Sequence, residues 1–126
     1  MSILVDSSIW IDYFRDGGRA DALELLIEEN LVIINDLILA ELIPPLKIRK
    51  RKELIALLNT IKRRIIAVDW EEIIDFQTTC LTNGINGVGI PDLIIAQNAL
   101  QGGMRLMSAD KHLRLLAKYI GLEMYR

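Results

Sequence analysis

Cysteine is nearly missing from this 126-residue chain, and the one thiol, Cys80, has no partner within it. A disulfide-stapled fold is therefore excluded, and a reducing cytoplasm is the simplest compartment. Histidine is as scarce. With His112 alone, RNA cleavage by a pair of acid–base histidines lacks its second member, and no Cys/His cluster of zinc-site spacing exists. No P-loop or dinucleotide glycine motif occurs either. Three prolines and eight glycines leave no room for a linker, and aromatics are only 6% of residues. No apolar run approaches the roughly 18–20 residues of a membrane helix, so no membrane partner is expected. The first fifteen residues hold no basic stretch before an apolar one, so a secretory signal is not expected.

Isoleucine and leucine are abundant, with 20 of each in a chain that is 52% apolar. That is enough to bury a core, and the length fits a single domain over residues 1–126. The net charge of −2 conceals a division. Between Lys47 and Arg64, eight basic residues face one acid, Glu53, a net +7; elsewhere seven basic residues face sixteen acidic ones, a net −9. Lys47, Arg49, Lys50, Arg51 and Lys52 form the densest part of this block. Such a block attracts a polyanion such as an RNA backbone through counterion release, although a solvated helix face has the same composition.

Short apolar runs alternate with helical patterns. Ile3 to Val5 and Leu31 to Ile34 read as strands, Ile65 to Val68 as a third, Arg105 to Met107 as a fourth, and Leu122 to Tyr125 as an edge strand. Ser7 or Ser8 is placed to cap a first helix that Gly17-Gly18 ends. Arg19 to Glu29 makes a second helix. Asn35 or Asp36 opens a third, which Pro44-Pro45 should break. Further helices fall at 51–61, at 70–83 with Ile73, Ile74 and Cys80 inward, at 91–101 and at 109–119. Gly84, Gly87 and Gly89 mark a loop. This alternation predicts an α/β three-layer sandwich around a short central parallel sheet. In such a sheet the ligand site lies beyond the carboxyl ends of the strands, where strand order reverses.

Four acids stand near that edge. Asp6 follows the first strand, Asp110 follows the fourth, Asp92 opens the helix before the fourth, and Glu41 lies about one and a half turns into the helix after the second. Carboxylates gathered in one crevice repel unless a cation shares the site. Oxygen ligands suit Mg²⁺ or Mn²⁺, which can activate water against a phosphodiester. For each acid alone, helix capping or exposure explains its place as well.

Four segments then carry a resemblance. They are Ile3-Leu4-Val5-Asp6-Ser7-Ser8-Ile9-Trp10-Ile11-Asp12-Tyr13-Phe14, Leu39-Ala40-Glu41-Leu42, Pro91-Asp92-Leu93-Ile94-Ile95-Ala96 and Leu106-Met107-Ser108-Ala109-Asp110. In order and spacing the chain resembles the PIN-domain nucleases, and most closely the VapC-like toxins of type II toxin–antitoxin pairs. The resemblance implies a Mg²⁺- or Mn²⁺-dependent endoribonuclease. It assigns Asp6 and Asp92 as direct metal ligands, Glu41 and Asp110 as acids that act directly or through water, and Ser7 and Ser108 as supporting hydroxyls. It also implies a cytoplasmic homodimer and a cognate antitoxin. Ala109 departs from the family, which often has arginine there.

Trp10, Ile11, Tyr13 and Phe14, Leu23 to Ile27, and Leu54 to Leu58 give three helices more apolar surface than one sheet face covers. The surplus fits either a well-filled core or a groove for a partner helix. Other functions remain open at this point: a housekeeping RNA- or DNA-processing nuclease, a silent cation-binding module, or an Asp-based phosphoacceptor or phosphatase domain. The phosphatase would require a second Asp two residues after Asp6, where Ser8 stands.

Overall fold

The computed structural model describes residues 1–15 and 20–126. The expected stop at Gly17-Gly18 and the helix start at Arg19 lie outside the described residues. Four parallel strands, β1 (Ile3–Val5), β2 (Val32–Ile34), β3 (Lys62–Arg63) and β4 (Arg105–Met107), form one sheet in the order β3-β2-β1-β4. All three residues of β1 and of β2 are buried. Successive strand residues face opposite ways, so both faces of the sheet are covered and three layers result. The flanking helices are α1 (Ser7–Phe14), α2 (Ala20–Glu28), α3 (Asp36–Ile48), α4 (Lys52–Thr60), α5 (Trp70–Thr82), α6 (Ile90–Gln101) and α7 (Lys111–Ile120). After β1 the chain steps to β2 on one side, and β4 later joins β1 on the other. Strand order therefore reverses between β1 and β4, and the crevice predicted by topology lies beyond Val5 and Met107.

The third strand is not at Ile65 to Val68. It is Lys62–Arg63, paired with Ile33 and Ile34, and both of its residues are exposed. The Arg64 amide still reaches the Ile34 carbonyl of β2 at 2.9 Å, but residues 65–69 join no strand, and Ile65 is 87% exposed. Side-chain amides of α6 replace a neighbouring strand there. Asn98 Nδ2 donates to the Ile65 carbonyl, Gln101 Nε2 to that of Ala67 and Gln97 Nε2 to that of Asp69. The backbone is thus satisfied without a ladder. Its two basic residues keep the open edge charged.

Helix α3 runs through Pro44 and Pro45 rather than ending there. Two prolines remove the N–H groups that would bond the carbonyls of Ala40 and Glu41. Both of those residues are exposed, so water can take their place, while Leu42 and Leu46 hold the helix to the core on either side. Lys50, with φ of 57°, then reverses the chain, and the Arg51 amide closes on the Leu46 carbonyl. Two smaller expectations also change. Ile74 points outward from α5 at 63% exposure, whereas Ile73 and Cys80 are buried. The edge strand at 122–125 reduces to a single bridge between Met124 and Leu106.

Candidate active site

Asp6 is the first residue past β1, and it caps α1 in place of Ser7 or Ser8: its Oδ1 accepts the Ser7 amide at 2.8 Å. It is only 4% exposed, so an ionised carboxylate here needs donors. Ser8 Oγ donates to Oδ2 at 3.0 Å and Ser108 Oγ at 2.8 Å. The Ser108 contact joins the ends of β1 and β4 across the point where strand order reverses.

The other acids surround this buried one. Glu41 is exposed as a residue, but its carboxyl on α3 is partly withdrawn from water. That carboxyl is raised above the ordinary range, first by desolvation, then by the charge of Asp6, with Asp92 adding to it; a hydrogen bond from Ser7 works against them. Asp92 lies in the first turn of α6, where its Oδ2 accepts the Gly89 amide at 3.2 Å. Its carboxyl is raised by burial and by Asp6 and Asp110, with the Gly89 bond opposing. Asp110 caps α7, accepting from the amides of His112 and Leu113. Capping and clustering therefore hold together. Asp6, Asp92 and Asp110 are each held by a helix start, and those starts bring them into one electrostatic neighbourhood with Glu41.

Sequence reasoning missed two contributors. Ser8 Oγ, besides bonding Asp6, accepts the Ala109 amide at 3.1 Å, which clips α1 to the turn after β4. Arg114, one turn past Asp110, donates to the Ser108 carbonyl through Nη2 at 3.0 Å and Nε at 3.3 Å. It holds the backbone beside Asp110, which bonds no basic side chain among the described residues. His112 is half-buried rather than freely exposed, with its ring beside Gly87, whose φ of 85° suits glycine.

A groove of about 320 Å³ adjoins Glu41 between α1, α3 and α4. Ile11, Phe14, Leu42, Leu46 and Leu54 line it, and Arg15, Arg49 and Arg51 stand around it. This is where the surplus apolar surface of α1 and α4 goes. The basic block divides: Lys47 to Lys52 occupy the exposed α3–α4 turn, with Arg51 paired to Glu53 at 2.7 Å, and Lys62 and Arg63 occupy β3.

The profile of the PIN domain matches residues 3–119. The chain belongs to the PIN domain family. No curated protein matches it. Among solved structures, this PIN domain is similar to VapBC2 from Rickettsia felis, bound to a DNA fragment from its promoter, with a TM-score of 0.74 at 19% identity over 99% of this chain and 98% of that one. It is similar also to FitAcB from Neisseria gonorrhoeae, with a TM-score of 0.72 at 18% identity over 98% of this chain and 96% of the other. At such identities the likeness establishes the shared fold.

The acids of this PIN domain suit a hard divalent cation. Among the described residues, none of the four forms an ion pair, and the surrounding donors are carboxylate and hydroxyl oxygens. No three acids among the described residues are grouped tightly enough to hold an ion by themselves. An ion held there would need water to complete its coordination, which Mg²⁺ tolerates well.

The raised carboxyls have a consequence for stability. The folded state holds the Asp92 proton more tightly than the unfolded chain, so this contribution favours folding below the unfolded value of about 3.9 and is lost as pH rises through the folded one. At neutral pH the ionised group disfavours folding. Asp92→Asn, which keeps an acceptor for Gly89, is expected to raise the melting temperature of the metal-free protein at pH 7, by less than about 1 kcal/mol for a half-buried group. The gain should vanish near pH 3 in calorimetric scans. With Mg²⁺ the order should reverse, because the wild type gains binding energy that the variant lacks.

Proposed function

We propose that this PIN domain, spanning residues 1–126, is a Mg²⁺- or Mn²⁺-dependent endoribonuclease and the toxin of a toxin–antitoxin pair. The observation that carries the reading is the gathering of Asp6, Glu41, Asp92 and Asp110, without a basic partner among the described residues, at the crevice between β1 and β4. Asp6 and Asp92 are the direct ligands in this reading, and Glu41 and Asp110 hold water. A divalent cation held by Asp6 and Asp92 would lower the pKa of a water molecule and offset charge on the phosphodiester. Glu41 uses neither oxygen to cap a helix, and its raised carboxyl suits it to accept the proton of the attacking water. Ser108 and Ser7 hold the acids in place. The water oxygen bonds phosphorus as a phosphorus–oxygen bond to ribose breaks.

The likeness to VapBC2 and FitAcB supports an antitoxin partner, and the apolar floor of the groove beside Glu41 suits the apolar face of its tail. A homodimer and a cytoplasmic place complete the proposal; among the described residues no helix is long and apolar enough to cross a membrane. Lys47, Arg49, Lys50, Arg51 and Lys52 are assigned to the RNA backbone.

The purified protein should cleave single-stranded RNA with Mg²⁺ or Mn²⁺, lose at least about a hundredfold of that rate in chelator, and recover on adding metal back. Undiminished cleavage in chelator would refute the metal role, and cleavage of DNA alone would refute the substrate. Expression without an antitoxin should arrest growth; unimpaired growth with an active enzyme would point to a housekeeping nuclease instead.

A further inference from the structure

Asn35 and Asn98 are among the most deeply buried polar side chains, at 0% and 1% exposure. Asn35 follows β2 and caps α3, its Oδ1 accepting the Ile38 amide at 2.9 Å. Its Nδ2 donates to Asn98 Oδ1 at 3.0 Å, and Asn98 Nδ2 donates to the Ile65 carbonyl at 3.1 Å. Every hydrogen bond in this chain points the same way, from the α3 amides towards Ile65, so the dipoles reinforce one another. Turning either amide over would set oxygen against oxygen. Each side chain therefore has one orientation.

The placement of this pair matters more than its strength. Glu41 follows Asn35 by six residues, and Asp92 precedes Asn98 by six, about 9 Å of helix in each case. Helices α3 and α6 pack directly. Asn35 caps the start of α3 and Asn98 stands in the last turn of α6, so their bond sets the start of one helix against the end of the other. The amide tie lies at one end of the contact and the two carboxylates at the other. Apolar packing alone tolerates sliding by a fraction of a turn, whereas a buried amide pair bonded in one orientation favours one register.

We infer that the Asn35–Asn98 amide pair is a positioning device for the acidic site, setting the separation of Glu41 and Asp92 and with it the affinity for a divalent cation. This rests on the metal-site reading above. Neither asparagine touches the ion or the RNA; each acts through the helix that carries an acid.

Mn²⁺ titration of the metal-free protein, below the melting transition of every variant, tests it. Asn35→Ser keeps an N-cap acceptor but is too short to reach Asn98; Asn98→Ala removes the other half. Gln97→Ala is the control, since Gln97 is equally buried on the same helix but bonds Asp69 and Glu72 rather than α3. The Mn²⁺ dissociation constant should rise about tenfold in Asn35→Ser and Asn98→Ala, the size of effect usual for groups that orient ligands. It should stay at the wild-type value in Gln97→Ala even though all three melt lower. Wild-type affinity in the two asparagine variants, or an equal loss in the control, overturns the positioning role. If Asn98→Ala does not fold, Asn35→Ser decides. Should the wild type bind Mn²⁺ no better than Asp6→Asn, the metal reading itself fails, an outcome distinct from the others.

Discussion

Asp6→Asn is expected to lower metal-dependent RNA cleavage by at least about a hundredfold. Two losses combine. One unit of negative charge leaves the only nearly inaccessible acid of the four, where an ion gains most from it because solvent screening is weakest. The amide also fits its surroundings poorly. Both Asp6 oxygens accept hydrogen bonds, and the hydroxyls of Ser8 and Ser108 already accept the amides of Ala109 and Asp110. An asparagine NH₂ placed at Oδ2 meets two hydroxyls with no acceptor to spare for their own hydrogens. Initial rates at saturating Mg²⁺, with circular dichroism to confirm folding, measure the effect. Near wild-type rates from a folded Asp6→Asn protein would remove Asp6 from the site.

The largest effect on stability should come from Trp10→Ala. Trp10 is 0% exposed on α1, packed at 6.0 Å ring separation from both Tyr13 and Phe14. Emptying that volume is expected to cost about 3–5 kcal/mol, a fall in Tm of roughly 10–20 °C at this size. Its indole Nε1 is buried with no hydrogen-bond partner among the described residues. Trp10→Phe discards that unsatisfied donor with the second ring, so its cost should stay below about 1.5 kcal/mol. Both variants discard the indole N–H, so the difference between their thermal melts isolates the volume term. A Trp10→Phe loss well above about 1.5 kcal/mol would mean that the indole nitrogen is satisfied in solution.

The readable parts of the molecule were those where one chemical type repeats over a whole element. Strands β1, β2 and β4 are apolar and mostly buried, and the acids that follow or precede them could be placed by topology alone. Strand β3 escaped because two exposed basic residues show no apolar period, while the apolar run just after them, Ile65 to Val68, is held by amide side chains of α6. Pro44-Pro45 misled for a related reason. The cost of proline inside a helix depends on whether the freed carbonyls reach water, and the exposure of Ala40 and Glu41 is a tertiary fact. Ser8 and Arg114 could not be assigned from spacing, because each bonds a backbone group whose position follows only from the folded sheet. The four acids could be singled out from their places in the chain, but not the division of their oxygens among helix caps and hydroxyl partners.

On the reading proposed above, the pairing of β1 with β4 also bears on when the chain gains activity during its synthesis. Asp6 emerges first, yet its partner strand and Ser108 lie a hundred residues downstream. At roughly 5–20 residues per second, the ribosome needs about 6–25 s to reach the end of the chain. Until β4 docks, β1 has no neighbour on that side and the crevice has one wall. Contacts this distant in sequence also form late in folding. On that reading a nascent chain lacks the second wall of its site, and a partner made beforehand would have the interval of translation in which to be waiting when that wall arrives.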